Sequence, residues 1–131
     1  MARRSVQKAL EHVGASAAIT RDPVDIDAAD ALVVPGVGAF PLAMANLNEL
    51  GLAALIRAHA QRGTPILGIC LGMQLLFESS SELGGSEGLG LLEGKVEPLP
   101  SVDGLKLPHI GWAKLKQERP SELTIGIADG E

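Results

Sequence analysis

The sequence holds a single cysteine, Cys70, no tyrosine, and only three aromatic residues, Phe40, Phe77 and Trp112. One cysteine excludes an internal disulfide and a cysteine-based zinc site. Scarce aromatics mean that any core is aliphatic, built from Leu, Ile, Val and Ala. Positive charge is also in deficit: 11 Lys and Arg against 16 Asp and Glu give a formal net charge of −5. That balance argues against non-specific nucleic-acid binding through a basic surface. No apolar run approaches the ~18 residues of a membrane span. The opening "MARRSVQKALEHVG" carries an Arg pair with no long apolar stretch behind it, unlike a signal peptide. The expectation is a cytoplasmic protein that touches neither membrane nor nucleic acid. What the chain does have is 131 residues, 46% of them hydrophobic, which suits one domain with one core.

Apolar periodicity then lays out the elements. Val6, Leu10 and Val13 fall on one helical face, with Ser5 as a candidate cap and Gly14 as the stop. "SAAIT" reads as a short strand. "DPVDIDAAD" reads as a polar connector with one helical turn. "ALVV" (31–34) is a short continuous apolar run stopped by "PGVGAF", the pattern of a buried parallel strand. "PLAMANLNELGLAALIRAHAQRG" reads as helix, broken near Gly51 and stopped by Gly63. "PILGI" is the next buried strand and "LGMQLLFESS" the next helix. After about residue 88 the texture turns rich in Gly and Pro, with short alternating pieces that fit small antiparallel strands. "ELTIGIADGE" reads as a last strand. Strands alternating with helices define an α/β fold, with a parallel or mixed central sheet flanked by helices.

Cys70 lies in "GICLGMQ", where the strand gives way to the helix. Free N–H groups at a helix start favour an anion. Gly68 and Gly72, two residues away on either side, leave room for a sharp turn and for a substrate at the sulfur. The pattern is that of a nucleophile elbow written G-x-C-x-G. The N–H of Leu71 then points toward the oxygen of an attacked carbonyl. The plainer reading is a small buried core cysteine; the glycine spacing favours the nucleophile. "PGVGAF" follows its own strand, and neighbouring parallel strands open their C-terminal ends onto one crevice. The Gly36-Val37-Gly38 backbone is therefore a candidate second oxyanion donor, although it also fits an ordinary Gly-rich turn.

"PGVGAF", "GICLGMQLLFESSSE", "GLGLLEGKV" and "LPHIGW", in this order, resemble the glutamine amidotransferase subunits of imidazole glycerol phosphate synthase, within the class I glutamine amidotransferases. The resemblance runs from about Arg4 to Glu131. It implies glutamine hydrolysis to glutamate and ammonia through a cysteinyl thioester. It also implies a heterodimer with a (β/α)₈ cyclase subunit that uses the ammonia in histidine biosynthesis, without metal or cofactor. By the resemblance, Cys70 is the nucleophile, and Leu71 with Gly36, Val37 and Gly38 forms the oxyanion site. Gln74 and Glu82 line the glutamine pocket, Glu82 matching the α-ammonium group. Trp112 and His109 face the cyclase. The family continues "GWN", whereas Ala113 stands here.

Two expected parts of the family pattern are not found. One is an N-terminal strand with an Asp-Tyr-Gly loop before the first helix. The other is a C-terminal His-Pro-Glu-like motif, whose His and acid would serve the thiol. Residues 1–131 thus read as part of a class I amidotransferase domain, and as inactive alone. His12 and His59 read as surface or boundary residues. Two other functions remain open on the sequence. One is a non-catalytic module that docks on the cyclase. The other is a different cysteine-elbow α/β hydrolase.

Overall fold

The computed structural model describes residues 2–101, 104, 106–108 and 110–130. The chain divides into two compact units, residues 1–98 and 99–131.

The first unit opens with α1, Ala2–His12. Val6 and Leu10 are half-buried, but Val13 is 76% exposed. Ser5 lies inside this helix and does not cap it; the helix already starts at Ala2. Gly14, at φ +89°, ends it, a conformation open to glycine without steric cost. "SAAIT" forms no strand. It has no ladder partner among the described residues; Gln7 Nε2 donates to the Ala17 carbonyl at 2.8 Å, and Thr20 Oγ1 donates to Asp25 Oδ2 at 2.9 Å. The connector does carry one helical turn, α2 (Pro23–Asp27), capped by the Asp22 carboxylate, which accepts from the Val24 N–H at 2.8 Å.

Strand β1 is Leu32–Gly36. It leads through a short loop into α3 (Phe40–Glu49) and α4 (Leu52–Gln61). The two helices are separated where expected, by Gly51 at φ +70°. Strand β2, Ile66–Cys70, pairs parallel with β1, with Leu32 opposite Ile66 and Gly36 opposite Cys70. Both strands are only half-buried, because this sheet has two strands and cannot cover its own edges and faces as a wide parallel sheet does.

The helix expected over "LGMQLLFESS" is cut short. α5 covers Leu71–Leu75, and Phe77–Ser80 is strand β3. The cause is tertiary competition for carbonyls. The Leu89 N–H donates to Leu75 O, Leu91 and Leu92 N–H to Leu76 O, and Gly90 N–H to Phe77 O, at 2.8–3.1 Å. Those carbonyls would otherwise accept from the next helical turn. β3 pairs antiparallel with β4 (Ser86–Glu87) and parallel with β5 (Leu92–Val96), so this small sheet is mixed rather than antiparallel.

The core is aliphatic around one ring. Phe40 and Met44 from α3, Ala53 and Ile56 from α4, Leu71, Leu75 and Leu76 at α5, and Leu89 form the buried cluster. Leu32, Val34 and Ile66 pack against it from the sheet. The second unit has no strand among its described residues. "ELTIGIADGE" gives a 3₁₀ turn, Glu122–Thr124, capped by Ser121, and Gly126 at φ +83° interrupts any extension. No helix among the described residues is long and apolar enough to cross a membrane.

Phe40 is fully buried, so Phe40→Ala should cost about 3–5 kcal/mol. Leu42→Ala, on the 62% exposed side of the same helix, should stay within about 0.5 kcal/mol of the parent. Urea unfolding of both variants checks the pair; similar losses in the two would contradict this placement of the core.

Candidate active site

Cys70 ends β2 and immediately precedes α5. Its backbone sits at φ 55°, ψ −122°, outside both strand and helix geometry. It is one of two non-glycine residues with positive φ among those described. Such a conformation strains a residue with a Cβ. The chain reverses here so sharply that the helix starts at the next residue, and the thiol is left exposed. The expected elbow is therefore present in the backbone.

The glycines around it are steric requirements. A Cβ on Gly72 would lie 1.7 Å from the Val34 carbonyl oxygen, a backbone atom of β1. A Cβ on Gly68 would lie 2.5 Å from the Met73 Cα, and one on Gly36 would lie 2.9 Å from the Gly72 N. Strand β1, strand β2 and the start of α5 thus meet closer than any side chain allows. This close approach places the end of β1 beside the nucleophile candidate.

The other candidate residues fall out as follows. Gly36 is the register partner of Cys70. Val37 and Gly38 follow it into solvent; Val37 is 74% exposed, and Gly38 has φ +100°. Leu71 turns its side chain into the core while its N–H, at the first helical position, has no intrahelical acceptor. Gln74 is half-buried on α5, four residues after Cys70. Glu82 lies in a 3₁₀ turn, Glu82–Gly84, and its Oε2 accepts from the Phe40 N–H at 2.8 Å. Trp112 belongs to the other unit and is fully exposed, not a core tryptophan. His109 lies outside the described residues.

The histidine His59 is not a surface residue. It is 1% exposed, with Nδ1 3.1 Å from Thr64 Oγ1 and Nε2 3.9 Å from Asp27 Oδ1. Only Nδ1 has a hydrogen-bond partner; Nε2 is buried without one, and the Asp27 carboxylate accepts instead from Arg62 Nη2 at 2.8 Å. Arg57 went unnoticed in the sequence. Its Nε donates to the Leu89 carbonyl at 2.9 Å and its Nη2 to the Gly88 carbonyl at 3.0 Å, fastening α4 to the segment behind α5. The available signal was a basic residue four positions after Ala53 and next to Ile56, on the apolar side of a helix. A surface depression lined by Pro23, Val24, Asp27, Ala28 and Leu55 contains none of the candidate residues.

A thiol on a strained strand-to-helix turn, with a glycine loop as its neighbour on the adjoining parallel strand, is the architecture of cysteine-dependent amidotransferases and hydrolases. Comparison with known sequences narrows the class. Residues 8–101 match the CobB/CobQ-like glutamine amidotransferase domain, and the chain belongs to that glutamine amidotransferase family. It is 52% identical over 126 residues to the imidazole glycerol phosphate synthase subunit HisH of Moorella thermoacetica, covering 96% of this chain and 59% of that protein. To the HisH subunit of Geobacillus kaustophilus it is 49% identical over 130 residues, covering 96% and 62%. To that of Aquifex aeolicus it is 51% identical over 129 residues, covering 98% and 61%. The chain thus spans about three fifths of the length of these curated relatives.

The packing around the elbow predicts unequal tolerance of glycine substitution. Gly72→Val should destabilise the protein by at least ~3 kcal/mol, at the upper end of overpacking costs, because its Cβ meets backbone. Gly38→Ala has nothing within 4 Å of its Cβ and should cost only the ~1–2 kcal/mol of a left-handed backbone. Denaturant unfolding of both variants is the check, and equal losses would contradict the wedge between β1 and α5.

Proposed function

We propose that the intact protein hydrolyses glutamine to glutamate and ammonia and passes the ammonia to a cyclase subunit for imidazole glycerol phosphate formation. The observation that carries this reading is the backbone of Cys70, held at φ 55° directly opposite Gly36. Membership of a glutamine amidotransferase family and likeness to imidazole glycerol phosphate synthase subunits support it.

In this reading the Cys70 thiolate adds to the γ-carboxamide carbon of glutamine. The carbonyl π pair moves to oxygen. Backbone N–H groups of Leu71 and of the Gly36–Gly38 segment stabilise that oxyanion, a contribution of ~10²–10³ in rate for each donor of this kind. Collapse of the tetrahedral intermediate breaks the C–N bond. Ammonia leaves with a proton from a general acid, and a thioester remains. Water adds to the thioester by the same geometry and releases glutamate and the thiol. Gln74 and Glu82 line the pocket, and the Glu82 carboxylate faces the α-ammonium group. Trp112, exposed on the second unit, and His109 form part of the cyclase-facing surface of a heterodimer.

The general acid and base is neither of the described histidines. His59 is 1% exposed, with Nδ1 on Thr64 Oγ1, and His12 sits exposed on α1. With His109 given to the cyclase-facing surface in this reading, residues 1–131 alone should release no ammonia from glutamine above the level expected from oxyanion donors.

An electrophilic diazoketone analogue of glutamine should label Cys70 and no other residue of the intact protein with its cyclase, as read by peptide mass spectrometry. Cys70→Ala should lower glutamine-dependent synthesis by at least ~10³-fold, on the scale of nucleophile losses in catalytic triads. Synthesis from free ammonia should survive, since it bypasses the thiol. Label on other residues, or glutamine-dependent turnover by Cys70→Ala near that of the parent, would remove Cys70 from the mechanism.

A further inference from the structure

The loop after β1 is tethered at its two ends and unsupported between them. At its start, Gly36 is locked in the ladder opposite Cys70. At its end, Phe40 is fully buried in the core. Between them Val37 is 74% exposed, and nothing stands within 4 Å of where a Gly38 Cβ would be. The loop's position therefore depends on how its end is held.

The start of α3 has no local means of holding it. The N-cap residue, Ala39, offers no side-chain acceptor, and Pro41 in the first turn has no N–H. The N–H of Phe40 is instead bonded by Glu82 Oε2 at 2.8 Å, from 42 residues later. Glu82 is itself fixed. Its N–H donates to Oγ of Ser80, a residue 2% exposed, at 3.1 Å. The preceding Ser81 N–H donates to the Val96 carbonyl at 3.1 Å. The following residue, Leu83, sits at φ 48°, ψ 39° with 79% of its surface exposed. Packing of Leu83 does not explain that strain. Among the described residues, the only non-glycine positions with positive φ are Cys70 and Leu83. One of these is the nucleophile candidate and the other the neighbour of Glu82, and such conformations gather at functional sites.

We infer that Glu82 is a positioning residue. By holding the Phe40 N–H, its carboxylate sets where the Gly36–Ala39 backbone stands against a carbonyl attacked by Cys70. This rests on the glutaminase reading above and adds to it. One carboxylate oxygen fixes the loop, so loss of Glu82 lowers turnover as well as affinity for glutamine. Loop displacements of about 1 Å lower rates by ~10²-fold.

Two variants of the intact protein with its cyclase separate reach from charge. Glu82→Asp keeps the charge and loses one methylene of reach. Glu82→Gln keeps an oxygen within reach of the Phe40 N–H and loses the charge. For glutamine hydrolysis, kcat should fall by ~10²-fold in Glu82→Asp. In Glu82→Gln, KM should rise and kcat should fall by less than ~10-fold. Hydrogen exchange of the Phe40 amide should be at least ~10-fold faster in Glu82→Asp than in the parent or Glu82→Gln. Equal kcat losses in the two variants, or an unchanged kcat in Glu82→Asp, would overturn the inference. Parent protein that does not hydrolyse glutamine would overturn the glutaminase reading instead. The Phe40 exchange rates then decide the tether by themselves: faster in Glu82→Asp upholds it, and equal rates in all three proteins refute it.

Discussion

At Cys70 the chain leaves a strand at φ 55°, and the surrounding structure exists in a form that keeps it there. A side chain in such a region costs of order 1–3 kcal/mol. The cost is offset by what the turn permits. Leu71, Leu75 and Leu76 enter the core within two helical turns of the strand end, each worth about 1.5–3 kcal/mol when buried. The turn also needs the absence of side chains at Gly36, Gly68 and Gly72, where backbone meets backbone. Sequence, packing and reactivity therefore share one constraint. The same glycines that let β1, β2 and α5 close up also leave the sulfur exposed, with the end of β1 beside it.

Long-range hydrogen bonds extend that constraint outward. Arg57 spans from α4 to the carbonyls of Gly88 and Leu89. Gly88 in turn passes so near the Phe77 carbonyl that a Cβ would stand 2.1 Å from it. The segment 88–92 then takes the carbonyls of Leu75, Leu76 and Phe77, which ends α5 and starts β3. Glu82 ties the far end of β3 back to the first residue of α3. Local helix preference would have carried α5 further; tertiary partners for three carbonyls outweigh it.

Much of this was legible in the sequence, for a physical reason. Continuous apolar runs stopped by Gly or Pro identified β1 and β2. Gly51 broke α3 from α4 because only a residue without a Cβ takes φ +70° freely. The spacing G-x-C-x-G located the elbow, since it records a steric demand within a few residues. What was misread depends on partners distant in sequence. "SAAIT" and "ELTIGIADGE" have strand-like composition but pair with no strand among the described residues. "FESS" continues a helical pattern until the carbonyls before it are claimed by residues 89–92. His59 looks like a surface residue, yet it is 1% exposed on α4, with Nδ1 on Thr64 Oγ1. The pairing of Glu82 with Phe40 leaves no trace in either local sequence.

The central claim is that the strained Cys70 turn and the neighbouring glycine loop form one carbonyl-binding site. A crystal structure of the protein with the proposed cyclase partner, trapped as the glutamyl thioester, tests it most directly. The account predicts continuous density from Cys70 Sγ to the acyl carbon, with Cys70 still near φ 55°. The acyl oxygen should lie within about 3 Å of the Leu71 N–H and of an N–H in the Gly36–Gly38 segment. An acyl group attached elsewhere, or an acyl oxygen in solvent with the glycine loop turned away, would contradict it.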